Sequence, residues 1–130
     1  MKILMTFLLF SYSCFAGPEK KDFTQLMNNY FDYVLQEDEE KLQTILSQEY
    51  YQHLKKTKSL EPIYEKNRKN KPDPKNRKFD LTYQKASVDK DLYFVNIKDP
   101  KASDFDDQWY EVRVQKNKKL KIMKVRIIDN

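Results

Sequence analysis

Phe79-Asp80-Leu81-Thr82-Tyr83-Gln84 is where the chain changes its hydrophobic period. Apolar residues at 79, 81 and 83 alternate with polar ones at 80, 82 and 84, the pattern of a strand with one face buried. Upstream of this stretch the apolar pattern runs at helical spacing, and downstream it stays at strand spacing. The switch predicts helices first and an antiparallel meander second. That order is an α+β fold, in which the helices cover one face of the sheet because their apolar stripes have no other surface to bury.

Working back from Phe79, residues Lys66 to Lys78 contain no apolar periodicity and hold Pro72 and Pro74, which reads as a solvated basic loop over about 66–78. Before it, Leu60, Ile63 and Tyr64 predict a short helix after Ser59. Leu42, Ile45, Leu46, Tyr50, His53 and Leu54 make the stripe of a helix over 39–56, interrupted near Ser47. Asp38 caps that helix, and Glu39 and Glu40 meet the positive end of its dipole. Phe23, Leu26, Met27, Tyr30, Phe31, Val34 and Leu35 are spaced i, i+3, i+4, i+7, i+8, i+11 and i+12, which predicts a helix over 23–36 with Asp22 as its cap.

Working forward, Val88 to Asp91 reads as a turn and Leu92 to Ile97 as a second strand that Asp99-Pro100 ends. Trp109, Tyr110, Val112 and Val114 begin a third strand, with Trp109 placed to reach a covering helix. Lys116 to Lys119 is a turn in which Asn117 tolerates positive φ, and Leu120 to Ile128 is a fourth strand. The expectation is N-terminal helices packed on a curved antiparallel sheet of about four strands.

The N-terminal residues have the order of a secretory signal peptide: Lys2, the apolar run Ile3 to Phe10, and small Ala16 before Gly17-Pro18. The run is shorter than the roughly 20 residues that span a bilayer. Cleavage after Ala16 is expected, giving a chain exported to the periplasm or the medium and without a transmembrane segment. It would also remove Cys14, the one cysteine. The alternative is a lipoprotein acylated at Cys14, for which Ser11-Tyr12-Ser13 is a poor signal. Residues 17–130 then suit one domain.

The formal charge of +5 is unevenly distributed. Residues 17–54 carry three Lys or Arg against eight Asp or Glu, residues 55–78 ten against three, and residues 79–130 eleven against nine. With Gly17 the only glycine, there is no phosphate-binding loop and no dinucleotide fingerprint. One histidine and no cysteine in the processed chain argue against zinc, and no cofactor is expected.

Tyr30-Phe31-Asp32-Tyr33-Val34-Leu35-Gln36-Glu37-Asp38-Glu39-Glu40-Lys41-Leu42, followed by Ile45-Leu46-Ser47, resembles the opening of small exported bacterial members of the NTF2-like superfamily. There a long helix ends in an acidic break before a second helix. Gln108-Trp109-Tyr110-Glu111-Val112 leading to Ile122-Met123-Lys124-Val125 resembles the family's last hairpin. The resemblance covers most of residues 17–130 and rests on element order. It implies a conical pocket between sheet and helices, and a possible homodimer through the sheet. Some members are isomerases or dehydratases that use Asp, His or Tyr inside the cone. No catalytic residue of the family aligns to a position here, so none is assigned.

The candidate pocket residues are Tyr30, Tyr33, Tyr50, His53, Tyr83 and Trp109, aromatic groups that can line a cavity and fix a ligand by their polar tips. His53 could act as a base, but no partner for it is visible in sequence. Lys66, Arg68, Lys69, Lys71, Lys75 and Arg77 are candidates to contact an anionic surface such as a cell-envelope component. Few aromatics are interleaved with them, so nucleic acid is not expected. Asp104, Asp106 and Asp107 lack the spacing and glycine of a calcium loop, so no metal is expected there. The expected function is a non-enzymatic exported binding or accessory protein. A pocket enzyme of the same fold, or a basic adaptor for anionic envelope components, is the alternative.

Overall fold

The computed structural model describes residues 17–70, 77–98 and 106–129. The expected signal peptide, Cys14, Lys71, Lys75 and Asp104 lie outside the described residues. Four helices, α1 (Lys20–Gln36), α2 (Glu39–Ile45), α3 (Gln48–Lys56) and α4 (Leu60–Asn70), precede four strands. The strands are β1 (Asp80–Lys85), β2 (Leu92–Lys98), β3 (Asp106–Val114) and β4 (Leu120–Asp129), paired antiparallel in the order β1-β2-β3-β4. The fold is α+β with helices packed on one sheet, as the change of period predicts.

Helix α1 begins earlier than its apolar stripe. Asp22, expected as the cap, lies in the first turn, and its carboxylate accepts a hydrogen bond from the Glu19 backbone N–H at 2.8 Å. The helix starts as soon as Pro18 is passed, and the aspartate stabilises that start from inside the first turn. At the other end Glu37 takes the left-handed conformation, φ 52°, and its N–H returns to Val34 O at 3.1 Å. Glycine usually fills this position. Here a glutamate does, and its carboxylate is held by Arg68 from α4.

The expected interruption near Ser47 separates α2 from α3. Leu46 forms a parallel bridge with Ile122 of β4, and the Ser47 N–H donates to Ile122 O at 2.9 Å. The Ser47 hydroxyl in turn accepts from Tyr50 N–H and caps α3. Helix α4, expected as a short helix after Ser59, runs to Asn70, so Lys66 to Asn70 are helical where a loop was expected. An (i, i+4) ion pair between Lys69 and Glu65 and the Arg68–Glu61 pair carry the helix through this polar sequence.

The β3–β4 turn places its positive φ on Lys118, at 65°, and not on Asn117, whose side-chain oxygen accepts the Lys119 N–H instead. A bulge between Glu111 and Val112 shifts the β3–β4 register, pairing Tyr110 with Val125 but Val112 with Ile122. It brings Met123 as well as Val125 to the helix-covered side at the site described below.

The core runs along α1 and the inner face of the sheet. Phe23, Met27, Val95, Val112 and Ile122 are fully enclosed, and Tyr93, Ile97 and Tyr110 nearly so. Phe31, placed by the sequence at the centre of the stripe, is only half-buried; it packs edge-on against Tyr30 and Phe79. The most completely enclosed residues of α1 are Phe23 and Met27.

Candidate functional site

Three helices and two strands leave a concavity of about 630 Å³ at the C-terminal half of α1. Tyr30, Phe31 and Val34 enter it from α1, Tyr50, His53 and Leu54 from α3, and Ile63 and Asn67 from α4. Gln108 and Tyr110 enter from β3, and Met123 and Val125 from β4. On α3 the lining residues are spaced i, i+3, i+4, so the helix presents one face to the cavity.

The polar groups inside include three phenols and the Gln108 amide. The rings of Tyr30 and Tyr110 meet edge-to-face with centroids 5.7 Å apart, and Tyr110 Oη donates to Gln108 Oε1 at 2.6 Å. Burial pushes the Tyr30 phenol well above its ordinary range, and the neighbouring Tyr50 and Tyr64 add to the shift. Tyr110 is pushed up for the same first reason, with Tyr30 and Tyr50 contributing. Tyr50 is raised by burial, while a backbone hydrogen bond from Val125 pulls the other way. Tyr30, Tyr50 and Tyr110 all line the same concavity. All three therefore stay neutral at ordinary pH and keep their protons for donation. The charged and imidazole groups, Glu49, His53, Lys66 and Lys124, stand at the exposed rim, Glu49 and His53 one helical turn apart.

Tyr30, Tyr50 and His53 are thus brought together as the sequence proposed. The other three pocket candidates are elsewhere. Tyr33 lies beneath Lys41, whose ammonium is 5.8 Å from the ring centroid. Tyr83 stacks on Phe23 and Tyr93 at the edge strand, away from the concavity. Trp109 is on the opposite face of the sheet, because Tyr110 and Val112 point inward and alternate residues point apart. Its register partners are Asn96 and Arg126, and it is half-buried among that outer row. The expectation that it reaches a covering helix is corrected by strand parity.

The basic candidates do not form one face. Arg68 pairs with Glu37 and Glu61, Lys69 pairs with Glu65, and Lys66 lines the cavity rim. Arg77 is a largely enclosed structural residue, its side chain 12% exposed. It donates to Asp32 at 2.8 Å and lies 5.5 Å from the centre of the Phe31 ring. A solvated role for it is therefore corrected. Asp106 and Asp107 begin β3, and among the described residues no cluster of His, Cys, Asp and Glu suits a metal ion. None of the described helices is long and apolar enough to cross a membrane.

Gln108, Tyr110, Ile63, Met123 and Val125 are site residues that sequence reasoning missed. For Gln108 and Tyr110 the signal was present, since they share the parity of Val112 and Val114. For Met123 and Val125 it was not, because the bulge breaks the alternation. No family model matches this chain, and neither a curated protein nor a solved structure matches it.

Proposed function

We propose that this chain is an exported, non-enzymatic binding or accessory protein of NTF2-like type, whose helix–sheet concavity holds a small amphipathic organic molecule. The observation that carries the reading is the cavity of about 630 Å³ walled by Phe31, Val34, Leu54, Ile63 and Val125, with the Tyr30, Tyr50 and Tyr110 phenols inside. That size falls within the range of small-molecule sites, which pair apolar walls with a few placed polar groups. Neutral phenols donate to a carbonyl, ether or hydroxyl oxygen of the guest while the apolar walls cover its body. The ionisable groups sit at the rim, where they meet the guest's outer end and leave its buried part to hydrogen bonding.

Gentle-ionisation mass spectrometry of the protein purified from its own host, followed by solvent extraction, is expected to reveal a bound organic mass. Ile63→Trp, which fills the cavity from α4, is expected to abolish that mass with the fold retained. Tyr50→Phe should weaken rebinding of the extracted molecule about threefold to tenfold, the equivalent of one hydrogen bond. Absence of any guest, together with no uptake of anilinonaphthalene sulfonate that Ile63→Trp removes, would overturn the reading. The rim pair Glu49 and His53 supports a second reading, the pocket enzyme. A guest converted chemically by the wild type and left intact by His53→Gln would establish it in place of the first.

A further inference from the structure

We infer that the end of the molecule built from the β1–β2 and β3–β4 turns docks onto an anionic phospholipid bilayer. In a four-stranded meander the first and third turns lie at one end and the second at the other, so residues 86–91 and 115–119 are side by side. The N-terminal end of α1 joins them. Together they border a second concavity of about 1050 Å³, separate from the tyrosine site and at the other end of α1.

Lys85, Lys90, Lys116, Lys118 and Lys119 line it, against the carboxylates of Asp22 and Asp91. Asp22 is engaged with the Glu19 N–H, and Asp89 of the same β-turn is engaged with Arg113 at 2.9 Å. Among the described residues Lys85, Lys90, Lys116 and Lys119 form no ion pair. Positive charge therefore accumulates at this end without the acidic partners that neutralise Arg68 and Lys55 elsewhere.

One further observation selects a bilayer over a soluble polyanion. Val88, at the tip of the β1–β2 turn between Lys85 and Lys90, is 97% exposed. An apolar tip flanked by lysines suits the headgroup boundary, where the ammonium groups meet phosphates and the side chain leaves water. The chain also enters the fold here. Gly17 lines the concavity and packs so close to Tyr93 that a Cβ at this position would lie 2.9 Å from the tyrosine hydroxyl.

The test is flotation of residues 17–130, the chain expected after cleavage, with vesicles of phosphatidylcholine alone and of phosphatidylcholine mixed with phosphatidylglycerol. Preference for the mixed vesicles is expected, falling as salt rises. Replacing Lys85, Lys90, Lys116 and Lys119 together by Gln should lower partitioning by a factor of several hundred, about fivefold per lysine. The same four residues changed to Arg should retain it, which separates charge from folding. Lys56, Lys58, Lys78 and Lys98 changed to Gln remove equal charge away from the concavity and should have little effect. Equal binding to both vesicle types, equal loss from the two Gln sets, or binding to dextran sulfate without preference for mixed vesicles would each overturn the inference.

Discussion

Arg77 shows how far a side chain's role can depart from its neighbours in sequence. It stands near the end of a run rich in Lys, Arg, Asn and Pro that has the composition of a solvated loop. Its guanidinium nevertheless leaves water to reach Asp32 Oδ1 at 2.8 Å and Asn28 O at 3.4 Å on α1, and it covers the Phe31 ring. A hydrogen bond to a charged partner contributes about 1.5–3 kcal/mol, more than an exposed ion pair does. Arg77→Ser is therefore expected to lower unfolding stability by about that amount, while Lys78→Ser, exposed beside it, stays within about 0.5 kcal/mol. Urea denaturation of the two variants measures the contrast. A double-mutant cycle with Asp32→Asn assigns the loss to the pair; independent, additive losses would deny the contact.

The junction between α2 and α3 illustrates the same competition one level up. Five apolar residues and His53 maintain a helical stripe across it, a spacing that by itself would suit one helix from Glu39 to Lys56. The sheet decides otherwise: Leu46 leaves the helix to bridge Ile122, and Ser47 gives its N–H to that strand and its hydroxyl to Tyr50 N–H. Rotating α3 away from α2 in this way is what turns Tyr50 and His53 toward the tyrosine site. Ser47→Ala removes the cap but leaves the bridge, and is expected to cost about 1 kcal/mol. Thermal melts followed by circular dichroism read this directly. Ser47→Asp, which supplies another capping oxygen, should recover most of the loss; failure to do so would mean that the buried hydroxyl matters for packing and not as a cap.

Stability of the assembled fold should fall at both ends of the pH scale for distinct reasons. On the acid side, Arg68 hydrogen-bonds Glu37 and holds its carboxyl below the ordinary value of 4.5. The Asp91 backbone N–H, and then Arg113, hold Asp89 below 3.8. A lowered folded pKa means that the unfolded chain takes up protons first. The contribution of these carboxylates is therefore present above the ordinary values and is lost as pH falls through them to the folded values. On the alkaline side, Tyr30 and Tyr110 are raised above 10.0 by burial. Their contribution is intact below pH 10 and disappears as pH rises beyond it, because the unfolded chain ionises its phenols first. Melting temperature against pH should show a plateau bounded by these two falls. Glu37→Gln should soften the acid fall, and tyrosinate absorbance of the native protein should show at least two phenols resisting titration until the fold is lost. Free titration of every tyrosine while the fold persists would contradict their burial.

The order of elements was legible in the residues alone, because hydrophobic period is a local property: helical spacing up to Tyr64, strand spacing from Phe79 and turn chemistry between strands. Strand parity was equally legible, and it would have placed Tyr110 inside and Trp109 outside had the row Tyr110, Val112, Val114 been followed consistently. Half of the aromatic site, Tyr30 and Tyr50, follows from the same stripes. What contact in space decided was where those stripes meet. The bridge from Leu46 to Ile122 set the angle of α3, and the bulge at Glu111 and Val112 brought Met123 and Val125 to the cavity. Arg77 was drawn back across α1 by a carboxylate 45 residues earlier. The lysines of the two hairpin turns became one surface through strand order, which joins residues far apart along the chain. These arrangements depend on contacts between distant segments, whose energies appear only once the helices lie on the sheet; no window of local sequence contains them.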